Sequence, residues 1–177
     1  HHTPTYVDEG IPFVTVKNLT AGEWISLDNT KRISLADHQA FIKRAHPQVG
    51  DVLITKDGTL GVTRVIETHE EFSIFVSVAL VKMIRHRADP WFVRFAFESS
   101  AAWAQFSVLA AGAALKHIVL STIANVKIPL PPLEEQKEIG RAIRDKCNRI
   151  DELVSTSERR VELLQERRTA LISAVVT

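Results

Sequence analysis

The sequence predicts an α+β domain with a mixed or antiparallel sheet and short helices, followed by one long coiled-coil helix that projects from it. Three observations carry this expectation. Over residues 1–132, β-rich runs and short helical units follow one another with turn residues between them. Pro131-Pro132 then stiffens a joint. Beyond the joint, Leu133 to Val176 carries apolar residues at alternating spacings of four and three: Ile143, Cys147, Ile150 and Val154, then Val161, Leu164, Leu171 and Val175.

Ser157 and Arg168 fall on the same seam and interrupt it. A period near ~3.5 argues for a supercoiled seam that faces another helix. At ~1.5 Å per residue the helix spans roughly 66 Å, too long to lie across a domain built from the rest of the chain. The domain boundary is therefore placed between residues 132 and 133, with 133–177 as a dimerisation or spacer helix. Its seam needs a partner from outside this chain. Burying roughly four to six apolar side chains per helix at ~1.5–3 kcal/mol each offsets the cost of association. Arg168, awkward in a deep core, is expected near an open end or against a glutamate of the partner. The plainer alternative is an amphipathic helix folded back on its own domain.

Within the first part, Ile11 to Val16 reads as a strand and Lys17-Asn18 as the turn after it. Ser34, with Asp37 three residues on, caps a short helix running to about Ala45. Asp51–Thr55 and Gly61–Ile66 are β-rich and flank Lys56-Asp57-Gly58-Thr59, a hairpin signal. Phe75–Ile84 is nearly all apolar and is expected as a central strand. Asp89-Pro90 opens a helix to about Glu98, a carboxylate cap before a proline at the first helical position. A second helix covers 101–110, closed by Gly112; a short helical turn follows Ser121, and Val126–Leu130 reads as a last strand.

Composition narrows the class. At 177 residues and 45% hydrophobic, the chain can bury one ordinary core and carry an appendage. No run of ~18 apolar residues suggests a membrane span. Cys147 is the single cysteine, so no internal disulfide or cysteine-based zinc site is available, and a cytoplasmic setting is expected. Net charge is +1, with 13 Lys+Arg against 12 Asp+Glu in 1–132 and nine of each in 133–177. Any nucleic-acid surface must come from local arrangement of charge.

Catalytic signatures are missing. There is no Walker-type phosphate loop, no glycine-rich dinucleotide fingerprint, and no histidine pair at metal-ligand spacing. Glu135-Gln136-Lys137 superficially matches the Glu-x-Lys of many nucleases, but it opens a helix, where acids favour the dipole. Asp57-Gly58-Thr59 reads as turn chemistry before it reads as an aspartate nucleophile. The expectation is a non-catalytic chain without metal or cofactor.

Five stretches, in order, resemble the DNA-specificity subunit of type I restriction–modification enzymes. They are Gly10–Leu19, Gly50–Gly61, Ala111–Ile118, Ile128–Lys137 and Leu163–Ala174. The most specific pair is the proline hinge with Glu134-Glu135-Gln136 opening the long helix, and the Gln165-Glu166-Arg167-Arg168 run near its end. The resemblance covers essentially the whole chain. It implies half of a subunit, either a fragment or a naturally short version: one target-recognition domain reading half of a split double-stranded DNA site, and one helix that pairs antiparallel as a spacer. It also implies docking of modification (methyltransferase) subunits and, through them, the restriction subunit. Two copies of such a half could satisfy each other as an antiparallel homodimer.

Reading DNA requires polar side chains at loop tips, cations for phosphates and amide, guanidinium or carboxylate groups for base edges. On that logic, and at positions matching the family's motifs, the candidates are Lys17, Asn18, Lys56, Asp57, Thr59, Lys116 and His117. Lys56 and Lys116 are assigned to phosphates, and Asn18 to either. Each also has a plain reading as a solvated surface residue or a turn former. Arg85-His86-Arg87 is a weaker steering candidate, and Trp24, Trp91 and Trp103 are expected in the core. Two rival functions remain: a coiled-coil scaffold whose head binds protein, and a nuclease using Glu135 and Lys137.

Overall fold

The structure is a computed structural model that describes residues 4–109 and 117–176. It divides into two compact units, His1–Lys137 and Glu138–Thr177.

The first unit contains two sheets. A four-stranded mixed sheet has the order β1-β3-β2-β6, built from β1 (Tyr6–Val7), β2 (Ile11–Val14), β3 (Arg32–Ile33) and β6 (Ser73–Ile74). β2 runs antiparallel to β3 and parallel to β6. A three-stranded antiparallel sheet has the order β5-β4-β7, built from β4 (Val52–Thr55), β5 (Thr63–Val65) and β7 (Val78–Val81). Val14, Leu19, Leu53, Ile66, Phe72 and Val78 form one apolar cluster drawing on both sheets. Every residue of β4 is fully buried, as a central strand flanked on both sides must be.

Asp51 fastens the start of β4 to the end of β7. Its carboxylate, 2% exposed, accepts from Lys82 Nζ at 2.6 Å and from the Met83 and Gln48 backbone N–H groups. Those partners satisfy a charge that would otherwise be costly to bury.

Among the described residues, five helices accompany these sheets. α1 (Val16–Thr20) starts where the sequence suggests a turn. The reason is a capping box: Asn18 Oδ1 accepts from the Thr15 backbone N–H at 2.8 Å, which favours helix over turn. α2 (Leu35–Ile42) is capped as expected, Ser34 Oγ accepting from the Asp37 N–H at 3.1 Å. Buried His38 then ties it to β6 through Ser73 Oγ, 2.9 Å away. α3 (Pro90–Glu98) begins at the Asp89 cap, whose Oδ1 accepts from the Phe92 N–H at 2.9 Å, and α4 (Ser100–Leu109) follows directly. The expected closure of α4 at Gly112 lies outside the described residues. α5 (Leu120–Asn125) is the expected short turn of helix.

Two strand expectations need correction. Phe75–Ile84 is not one central strand. A turn closed by the Val78 N–H on the Phe75 carbonyl at 2.9 Å occupies 75–77, so only Val78–Val81 of the run is strand, and β7 takes an edge beside central β4. Val126–Leu130 is not a strand either. The Gln105 amide bonds both the N–H and the C=O of Lys127 at 2.8 Å, supplying what a neighbouring strand would have given.

The second unit is the greater part of α6 (Leu133–Val176), a single uninterrupted helix whose first turn belongs to the first unit. Every described residue from Asn148 onward is exposed. No helix among the described residues is long and apolar enough to cross a membrane.

Candidate nucleic-acid interface

The site begins with the connection from β4 to β5. Gly58 (φ +73°) and Gly61 (φ +72°) adopt left-handed backbone that L side chains resist, and so allow the chain to reverse. Thr55 closes the base of the loop, its Oγ1 accepting from the Val62 N–H at 2.9 Å while its carbonyl accepts from the Gly61 N–H at 2.8 Å. Trp103 of α4 lies so close to Gly61 that an added Cβ would sit 2.4 Å from Cζ2. The loop is thus anchored at its base and open at its tip, where Gly58 and Thr59 are exposed.

The segment at 117–118 runs alongside this loop. Asp57 and His117 form an antiparallel bridge, and the Ile118 N–H donates to the Lys56 carbonyl at 2.7 Å. Ile118, 1% exposed, anchors that segment in the core. The fold therefore brings four sequence candidates together: Lys56, Asp57, Thr59 and His117. Lys56 does not stand as an isolated cation. Its Nζ lies 2.7 Å from Asp57 Oδ2, and its side chain is only 16% exposed. The cluster thus presents an ion pair with an exposed hydroxyl and an exposed imidazole beside it.

The remaining candidates divide. Lys17 is exposed on α1. Asn18 is consumed internally: Oδ1 holds Thr15, while Nδ2 donates to the Ser26 carbonyl at 3.0 Å and Thr30 Oγ1 at 3.1 Å. Its amide shapes the loop that follows α1 and has little left for a base edge. Lys116 lies outside the described residues. Of the basic triplet, Arg85 donates to the Val49 carbonyl and the Arg87 carbonyl accepts from Gln136, so both are tied into the loop structure. Glu135 and Lys137 are exposed, and Lys137 pairs with Glu134 at 2.7 Å.

Sequence reasoning missed a charge network beside the loop that follows α1. Arg64 on β5 donates to the Gly22 carbonyl from Nε (3.0 Å) and Nη2 (2.7 Å). Arg94 on α3 pairs with Glu23, and its guanidinium lies 5.1 Å from the Trp91 ring centroid. Glu98 accepts from the Thr63 N–H at 3.1 Å. Burial pushes the Glu98 carboxyl up, and the Arg94 and Arg64 charges and the Thr63 bond only partly oppose it. Burial also works to raise Glu23, but there the Arg94 hydrogen bond and the Arg94 and Arg64 charges win and hold it below the ordinary value. Arg64 is lowered by burial and by neighbouring Arg94. The network holds Trp24 in place: 53% exposed, it meets Trp91 edge-to-face at 6.0 Å and is not a core residue as expected.

The family model for the type I restriction modification DNA specificity domain matches residues 4–163. The chain belongs to this family. A protein described as a type I restriction enzyme MjaX specificity subunit, from Methanocaldococcus jannaschii, is 24% identical over 174 residues, covering 95% of this chain and 39% of that one. The MjaVIII specificity subunit of the same organism is 33% identical over 66 residues, 37% of this chain and 15% of its own length. An HsdS subunit from Thermoanaerobacter tengcongensis superposes with a TM-score of 0.62 at 18% identity, over 85% of this chain and 38% of the other. A chain from a structure addressing complex assembly and conformational transition of the type I R-M system gives 0.63 at 17% identity, over 91% and 41%. At those identities the likeness shows the fold. The chain spans about two fifths of the length of the MjaX relative and of both structures.

Within this specificity-domain fold, three further residues matter structurally. Arg64 and Arg94 are 30 positions apart and no local pattern joins them to Glu23. Gln136 is fully buried: Nε2 donates to the Arg87 (3.0 Å) and Pro131 (2.7 Å) carbonyls, and Oε1 accepts from the Asp89 N–H (2.9 Å). Its position in the Glu-Glu-Gln run was the available signal; what it binds was not.

Proposed function

We propose that this chain is a non-catalytic target-reading half of a type I restriction–modification specificity subunit. Residues 1–132 bind double-stranded DNA and read one half of a split site, and residues 133–177 pair as a spacer helix, two copies forming an antiparallel homodimer. The dimer docks modification subunits and, through them, the restriction subunit. One observation carries the reading: the DNA specificity domain match extends over residues 4–163. The loop cluster of Lys56, Asp57, Thr59 and His117 supports it, because it offers donors and acceptors on backbone anchored at its base. Lys17 and Lys116 supply phosphate contacts, and Asn18 acts by shaping the loop after α1.

The test is a selection of bound duplexes from a randomised pool, run with and without the modification subunit. Enrichment of one short half-site motif, duplicated in inverted orientation at fixed spacing, is expected. A pool left random in both arms would overturn the reading. The pure chain is also expected to transfer no methyl group from S-adenosylmethionine.

The scaffold reading keeps one observation in its favour: the α6 seam residues from Ile150 to Val175 are exposed, and they would suit any helix. Normal mass by light scattering with loss of all duplex binding would favour it.

A further inference from the structure

From the exposed seam of α6 we infer the register in which a second copy of this chain pairs with it. The inference rests on the helix pairing proposed above and fixes which residues meet. Ile150, Val154, Val161, Leu164, Leu171 and Val175 are 49% to 84% exposed, whereas Ile143 and Cys147 are less so. The surface in need of a partner therefore runs from Ile150 to Val175.

In an antiparallel coiled coil, each a-type residue faces a d-type residue of the other helix. Only registers one heptad apart keep that matching. In one of them Ile150 faces Val175, Val154 faces Leu171 and Val161 faces Leu164 of the second copy, each contact occurring twice by symmetry. The two polar interruptions then face each other, Ser157 opposite Arg168. Every apolar side chain meets an apolar one, and no core layer mixes the two kinds. Glu158 borders the same apolar groove as Ile150, Val154, Ser157 and Val161. Arg168 of the second copy therefore reaches a carboxylate as well as a small hydroxyl, which resolves its place on an apolar seam.

Sliding the partner by one heptad toward the helix start destroys this match. Ile150 would then face Arg168, Ser157 would face Val161, and the less exposed Cys147 would face Leu171. Flanking charges do not separate the two registers, because each brings like charges together: Arg160 with Arg167 in the first, Glu158 and Arg160 each with its own copy in the second. The polar seam positions decide.

Disulfide trapping on the full chain tests this. In a Cys147→Ala background, Val154→Cys with Leu171→Cys is expected to give a covalent dimer on mild oxidation. The two positions lie roughly 25 Å apart along one helix, so a bond within one chain is excluded. Val154→Cys with Leu164→Cys, and Leu171→Cys with native Cys147 retained, report the slipped register and are expected to stay uncrosslinked. Arg168→Glu should weaken dimerisation roughly tenfold, and adding Glu158→Arg should restore it. Trapping of either slipped pair in place of the first overturns the register while leaving helix pairing intact. A one-chain mass at micromolar concentration, in a protein that still binds duplex, overturns the homodimer itself. Loss of duplex binding in a trapped dimer counts against the DNA reading alone.

Discussion

Gln136 offers the sharpest test of how the head holds the start of α6. Its side chain, 0% exposed, makes three hydrogen bonds to backbone groups: the Arg87 carbonyl, the Pro131 carbonyl and the Asp89 N–H. Gln136→Leu keeps the volume and removes all three partners. Each buried group left unsatisfied costs ~1–3 kcal/mol, and partial rewetting brings the sum to about 3–5 kcal/mol. That is a large part of the ~5–15 kcal/mol that holds a domain folded. At ~2–4 °C per kcal/mol for a chain of this size, the melting temperature should fall by about 6–20 °C. Tryptophan fluorescence is the suitable probe, because Trp24, Trp91 and Trp103 all lie in the first unit while α6 dominates far-ultraviolet dichroism. Gln136→Ala should cost at least as much, since it adds a cavity. A melting temperature within 2 °C of the wild type for both variants would falsify the argument that these bonds lock the joint.

Gly58 and Gly61 form a matched pair, both left-handed, but only Gly61 lies against Trp103. Gly58→Ala should cost about 1 kcal/mol of backbone strain and Gly61→Ala clearly more in denaturant titration; equal costs would remove the packing argument. Asp57→Asn releases Lys56 from its ion pair, so duplex affinity should rise and the salt slope should steepen by about one unit. An unchanged slope would place the loop off the DNA. Glu23 and Glu98 should respond oppositely to pH. Glu23, held below 4.5, contributes stability above that value that is lost as pH falls through its lowered value, so Glu23→Gln should be destabilised at pH 7 and match wild type in acid. Glu98, raised above 4.5, binds its proton more tightly when folded, so its contribution declines as pH rises from 4.5 through its raised value. Glu98→Gln should therefore be tolerated at pH 7 better than Glu23→Gln, and melting curves across pH 3.5–8 would show the reverse ordering if the burial argument is mistaken.

What the sequence determined by itself was whatever short-range patterning can encode. The 44-residue helix followed from heptad spacing, and the caps at Ser34 and Asp89 followed from residues three apart whose bonds close within one turn. The hairpin followed from Asp57-Gly58 between β-rich runs, because a left-handed turn needs the glycine wherever it stands. Tertiary structure decided the rest. It spent Asn18 on Thr15, Ser26 and Thr30, and it paired Lys56 with Asp57 beside His117, sixty positions away. It also confined strand in the apolar run at 75–84 to Val78–Val81, at an edge of the three-stranded sheet, and let the Gln105 side chain stand in for a strand partner at Lys127. Each of these turns on which backbone or charge lies opposite a given side chain. That is a property of the packed chain, because a lone lysine or amide reads the same in sequence whether its partner is water, a phosphate or a neighbouring carboxylate.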